Sequence, residues 1–83
     1  MDVRVRLSAD LIQHVGKTHL TMRLSDGATV ADLMSRLRNQ YPSLTDRLEM
    51  AVPFVAGRHA SQTEPLADGQ EVAFLLPIAG GGR

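Results

Sequence analysis

Residues 25–42 read SDGATVADLMSRLRNQYP. Val30, Leu33, Met34, Leu37 and Tyr41 fall at i, i+3, i+4, i+7 and i+11, so one apolar stripe runs along an α-helix. Ser35, Arg36, Arg38 and Asn39 lie off that stripe. Thr29 stands where an N-cap oxygen is needed, and Asp32 three residues on resembles the second half of a capping box. Ser25-Asp26-Gly27 is a turn signal. Pro42 ends the helix, because the residue before a proline avoids helical geometry. A helix with one apolar stripe must lay it against a partner surface, and the flanking segments supply one.

Upstream, residues 1–7 read MDVRVRL and residues 18–24 read THLTMRL. Val3, Val5 and Leu7 alternate with Asp2, Arg4 and Arg6, the period of a half-buried strand. Leu20, Met22 and Leu24 repeat that pattern against His19, Thr21 and Arg23. Between them, Leu11, Ile12 and Val15 are spaced for a short helix, with Ser8 as its cap and Gly16 as its stop. Downstream, SLTDRLEM (43–50) is ambiguous and admits a turn of helix. AVPFVAG (51–57) reads as a strand whose Pro53 places it at an edge or a bulge. Gly57-Arg58 suggests a turn. Asp68-Gly69 turns the chain into a last strand, EVAFLLP (71–77), with Val72, Phe74 and Leu76 on one side and Ala73 and Leu75 on the other. A mixed sheet with the helix laid across one face is the economical packing of these elements.

Composition narrows the function. A chain of 83 residues is one small domain, and it buries roughly 60–65% of its unfolded surface. It has no cysteine, hence no disulfide staple, thiolate zinc site or cysteine nucleophile. An unstapled fold of this size suits a reducing cytoplasm. The formal net charge is zero, which argues against bulk nucleic-acid binding. No apolar run approaches the ~20 residues of a membrane span, and no signal peptide opens the chain. His14, His19 and His59 fall in three different segments without metal-ligand spacing, so they read as surface residues. Arg36, Arg38 and Arg47 read as a solvated face. Ser25 has no base beside it and is not a nucleophile.

Three stretches together carry a resemblance: the Asp-Gly-Ala-Thr-Val entry to the helix (26–30), Leu-Ala-Asp-Gly-Gln-Glu-Val (66–72), and Pro-Ile-Ala-Gly-Gly (77–81) directly after the last strand. In this order and at these spacings the chain resembles the MoaD/ThiS family of ubiquitin-like sulfur carriers, from the first strand to Gly81. Its ending looks closer to the small subunit of molybdopterin synthase than to the thiamin-pathway carrier. It departs from the commonest form in having Leu76-Pro77 where a double proline is usual, and in continuing with Gly82-Arg83. The resemblance implies an α+β fold, the ubiquitin-like β-grasp, with a mixed sheet and one main helix packed on one face. The expected organisation is a domain over residues 1–76 and a flexible glycine tail over 77–83.

The resemblance also implies a chemistry. An activating enzyme, a ubiquitin-activating-enzyme-like adenylyltransferase, uses ATP to adenylate the terminal glycine carboxylate. A sulfur donor then displaces AMP and leaves a thiocarboxylate, which delivers sulfur to an acceptor. On this reading the protein is a cosubstrate and not an enzyme alone, and it binds no cofactor itself. The reactive carboxyl belongs to Gly81, or to Gly82 as second choice, with Gly80 beside it. Arg83 is long, charged and costly to bury in a channel shaped for glycine, so a processing peptidase is expected to remove it. Glycine suits such a tail because it lacks Cβ and threads a narrow channel. Residues 77–83 span on the order of 20 Å when extended. Pro77 stiffens the exit, and Ile78 and Ala79 lead to the glycines. Pro77, Ile78, Ala79, Phe54 and Leu75 are the expected partner contacts, to the activating enzyme and to a molybdopterin synthase large subunit. The sheet face away from the helix is a common partner surface in ubiquitin-like folds, although core packing is about as good a reading of Phe54. Two alternatives stay open. The activated glycine could be joined to lysines of target proteins, making a ubiquitin-like modifier, or the fold could serve as an interaction module without the chemistry.

Overall fold

The computed structural model describes residues 1–76. The chain forms β1 (Asp2–Leu7), α1 (Ala9–Val15), β2 (His19–Arg23), α2 (Val30–Gln40), a 3₁₀ turn (Pro42–Leu44), α3 (Thr45–Met50), β3 (Val52–Val55), β4 (Arg58–His59) and β5 (Glu71–Leu75). One sheet takes the order β2-β1-β5-β3-β4. β1 and β5 run parallel, and the other pairs are antiparallel. This is the ubiquitin-like β-grasp, an α+β fold with a mixed sheet and the main helix on one face.

The core is where the alternation put it. Val3, Val5, Leu7, Leu20, Met22, Val72 and Phe74 from the strands meet Leu33, Met34 and Leu37 of α2, all buried. Removing each such side chain from water contributes roughly 1.5–3 kcal/mol. Leu24 joins this core, and Tyr41 packs half-buried at its margin.

The entry to α2 is bonded at every donor. Asp32 N donates to Thr29 Oγ1 at 3.3 Å, and Thr29 N donates back to the Asp32 carboxylate at 2.9 Å. The two donors before it are met from elsewhere in the chain. Val30 N donates to the Glu64 carbonyl at 3.0 Å and Ala31 N to the Gln62 carbonyl at 2.9 Å. The loop before β5 therefore finishes the cap that the local sequence begins, satisfying groups that a helix start leaves orphaned.

The Asp68-Gly69 turn sets the position of β5. Asp2 N donates to Asp68 Oδ1 at 2.8 Å, and Gly69 N donates to the Asp2 carbonyl at 2.7 Å. Gly69 has φ 79°, a left-handed geometry that glycine adopts without strain. Tied here to the start of β1, the chain runs alongside it as a parallel neighbour.

Three sequence expectations are refined. Residues 43–50 form a 3₁₀ turn and the helix α3, and they bury Leu44 and Leu48. Ser8 occupies the N-cap of α1 but makes no side-chain cap bond, and its hydroxyl is buried without a partner among the described residues. β3 is not an edge strand, because β4 lies outside it. Pro53 is tolerated for a local reason. Its carbonyl accepts from Ala60 N at 2.9 Å, so its own nitrogen also faces the β4 side. The return bond that this pair would make is missing, and β4 stops after His59.

Candidate functional site

The site has two parts, the end of β5 and the sheet face turned away from the helices. β5 lies in the middle of the sheet, between β1 and β3. Its last backbone ties are Ser8 N to the Phe74 carbonyl at 3.2 Å and the pairing of Leu75 with Val52. Leu76 packs partly against the core. Whatever follows therefore leaves from a strand held on both sides. Pro77, Ile78, Ala79, Gly80, Gly81 and Gly82, expected to carry the chemistry and part of the partner contact, lie outside the described residues, as does Arg83.

The open face is built by the register. Phe54 pairs with Ala73, Ala73 with Arg6, and Arg6 with His19, so these four form one row across the sheet. The neighbouring row pairs Val52 with Leu75, and on the other side Glu71 lies opposite Arg4. Leu75 is 38% exposed, and Phe54 is half-buried. Both sequence-predicted face residues therefore stand on the same side of the sheet, away from the core. Their period-2 phase is fixed by buried Pro53 and Val55 on the other side. Phe54 meets the ring of His59 edge-on, with centroids 6.0 Å apart and planes at 69°.

Charge borders the apolar strip on one flank. The Glu71 carboxylate lies 3.9 Å from Arg4 and 4.0 Å from Arg6, so two guanidinium groups share one acid. Arg6, Phe54, Glu71, Ala73 and Leu75 line a shallow hollow that the turn Ala56-Gly57 closes at one end. That turn joins β3 to β4 with two residues, both at positive φ, 53° and 78°, as a primed hairpin turn requires. Alanine at the first of them is strained.

The sequence reading missed Arg4, Arg6, His19, His59 and Glu71 as members of this face. The outward alternation of Arg4, Arg6, His19 and Glu71 was visible, but which strands lie side by side was not, and the two-residue β4 that carries His59 did not read as a strand. Among the described residues no three His, Cys, Asp or Glu side chains group as a metal site. No helix there is long and apolar enough to cross a membrane.

Among the described residues the β-grasp sheet leaves one face bare, and the sequence continues from its central strand through Leu76 into Pro-Ile-Ala-Gly-Gly; together these define a small ubiquitin-like protein. The chain belongs to the ThiS family, whose model matches residues 5–81. It is 29% identical over 83 residues to the molybdopterin synthase sulfur carrier subunit of Chlamydomonas reinhardtii, covering 98% of this chain and 100% of that protein. The subunit of the same name from Mycobacterium tuberculosis (strain ATCC 25618 / H37Rv) is 38% identical over 64 residues, 72% of each chain. Among solved structures, SAMP1 of Haloferax volcanii superposes with a TM-score of 0.87 at 26% identity, covering 98% of this chain and 100% of that one. The family is thus one of small sulfur carriers.

Proposed function

We propose that this protein is the sulfur carrier of a molybdopterin-synthase-type complex, acting through the carboxyl of a tail glycine. An activating adenylyltransferase joins that carboxylate to the α-phosphorus of ATP, releasing pyrophosphate. Sulfide, as the donor's transferable sulfur, then attacks the acyl carbon; a C–S bond forms, the C–O bond to AMP breaks, AMP leaves with its electron pair, and a thiocarboxylate remains. A synthase large subunit accepts the tail, and the sulfur passes to its substrate. The carboxyl is assigned to Gly81, which keeps the family's distance from the last strand, with Gly82 as second choice. The observation that supports this reading most is the family match running unbroken from the sheet through Gly81.

A second reading has its own support. The resemblance to SAMP1, described as small archaeal modifier protein 1, favours a modifier joined through its glycine to lysines of other proteins. Both readings need the same activation step, so mass spectrometry of the protein from its own cells decides between them. One sulfur in place of one oxygen supports the carrier, and lysine-linked adducts support the modifier. Adenylation by the cognate activating enzyme, measured on chains ending at Gly81, Gly82 and Arg83, tests the choice of glycine. The form ending at Gly81 is expected to be activated fastest. Equal activation of the form ending at Arg83 removes the need for a peptidase.

A further inference from the structure

β2 is the outer strand of the sheet, and among the described residues no strand pairs with its far side. Its bonds to β1 show which backbone groups are spoken for. Leu7 N donates to the Thr18 carbonyl at 3.1 Å, Leu24 N to the Met1 carbonyl at 2.9 Å, and the Met1 ammonium to the Leu24 carbonyl at 2.8 Å. Bonded residues alternate along an antiparallel pair, so Thr18, Leu20, Met22 and Leu24 turn their N–H and C=O groups toward β1. His19, Thr21 and Arg23 turn theirs outward. At the opposite edge β4 has only two residues, too few to template another strand. β2 is therefore the long open edge, the kind that recruits a further strand, and its register with β1 runs without a bulge.

This edge is complementary to itself. Its outward residues are spaced by two with Thr21 at the centre, so they match an antiparallel copy about a twofold axis at Thr21. Thr21 then pairs with Thr21 of the second copy, and His19 with Arg23 of the second copy. Every outward backbone group from His19 to Arg23 gains a partner. The side chains agree with this register. Threonine opposite threonine is a favourable cross-strand pair, and Asp2 at 3.3 Å already meets the charge of Arg23. Just beyond the strand, the exposed Lys17 of one copy comes opposite Ser25 of the other, beside Asp26, whose side chain is 97% exposed. The symmetry makes that cation–anion contact twice.

We propose that two copies of this chain associate edge to edge through β2, joining their five-stranded sheets antiparallel into one continuous sheet. The twofold axis stands perpendicular to that sheet, so the helices of both copies lie on one side and both bare faces on the other. β1 separates the join from β5 in each copy, which leaves Phe54 and Leu75 uncovered. The contact is one short strand on each side, so the dimer is weak and reversible, at the small end of protein interfaces. The inference needs neither the activation step nor any residue beyond Leu76.

Sedimentation equilibrium of the full chain from about 10 μM to about 1 mM, the range in which a small interface dissociates, is expected to show monomer and dimer in exchange. Thr21→Pro removes an outward N–H and no bond to β1, a place where an edge strand accepts proline. It should remain folded by circular dichroism and raise the dissociation constant at least about tenfold. Cross-linking tests the register. The chain has no cysteine, so Thr21→Cys carries its only thiol. In a bonded pair the two Thr21 Cα atoms lie ~5.5 Å apart, within disulfide reach. The two copies of His19 lie about 14 Å apart along the strands. Mild oxidation should therefore give a covalent dimer with Thr21→Cys and only background with His19→Cys. A parent that stays monomeric throughout overturns the proposal and leaves the edge to a strand from another protein. An undiminished dimer in folded Thr21→Pro overturns it as well, as does equal cross-linking at the two positions. If Thr21→Pro does not fold, the two cysteine variants decide alone.

Discussion

Two residues carry strain or an unmet bond, and each makes a prediction. Ala56 sits at φ 53° in the two-residue turn between β3 and β4, where its Cβ crowds the backbone at a cost of roughly 1–2 kcal/mol. Asparagine tolerates this region and, with Gly57 next, makes the pair that such hairpins prefer. Ala56→Asn is expected to stabilise the protein by about 0.5–1 kcal/mol, read as a rise in the urea midpoint at constant slope. A neutral or destabilising result would mean that the turn is not held in this geometry. Ser8 tests the opposite case. Removing an N-cap hydroxyl normally costs ~1 kcal/mol, but here the hydroxyl makes no cap bond and is buried without a partner among the described residues. Ser8→Ala removes a desolvated group that returns nothing. It is expected to leave stability within about 0.5 kcal/mol or to raise it, and a loss of a full cap's worth would show that the hydroxyl is bonded after all.

At the scale of elements, α2 depends on a loop that lies far from it in sequence. Glu64 lends its carbonyl to Val30 N, while its carboxylate is gripped by both terminal nitrogens of Arg58 at 2.8 and 2.7 Å. Those hydrogen bonds above all hold the Glu64 carboxyl below its ordinary value; desolvation opposes them, and the charge of Arg58 adds a smaller lowering. A carboxyl lowered in the folded state stabilises the fold above its unfolded value and loses that contribution as pH falls through the folded value. Glu64→Gln is therefore expected to be less stable than the parent at neutral pH, and the gap should close below about pH 4, the ordinary carboxylate range. Thermal melts at neutral and acid pH check this, and a gap that is independent of pH would remove the ion pair from the account. The start of α2 also shows what the sequence disclosed. Thr29 and Asp32 signal their box within four residues, and the stripe from Val30 to Leu37 declares the buried face, because both are local. The second half of the cap, from Gln62 and Glu64, was not legible, since it depends on where a loop more than thirty residues later comes to rest. α3 escaped for another reason. It has six residues, too few for a period to emerge, and is held by the packing of Leu44 and Leu48. β4 is shorter still, and its length follows from the N–H that Pro53 lacks.

The described residues hold the last strand in the middle of the sheet and leave one face bare. Alternation in β1, β2 and β5 announced which residues turn outward. The parallel pairing of β1 with β5 did not show in any single stretch, and it is this pairing that sets Arg4 beside Glu71 and Arg6 beside Ala73. The result is an apolar strip of Val52, Phe54, Ala73 and Leu75 with cations along one border, next to the strand that leads into the glycines. A partner that takes the tail from the end of β5 must come close to this strip. Apolar anchors at the centre of an interface carry most of its energy, and charges at the rim carry little. Phe54→Ser and Leu75→Ser are each expected to lower kcat/KM for adenylation by the cognate activating enzyme by about tenfold, the equivalent of ~1.4 kcal/mol, with the double variant lower still. Both side chains lie outside the core, so circular dichroism and the melting midpoint should remain near those of the parent. Arg36→Ser, off the apolar stripe of α2, is the matched control and should leave the rate within twofold. If the double serine variant is folded and is activated as fast as the parent, the activating enzyme grips another surface. A loss confined to Arg36→Ser would place that surface on the helix side.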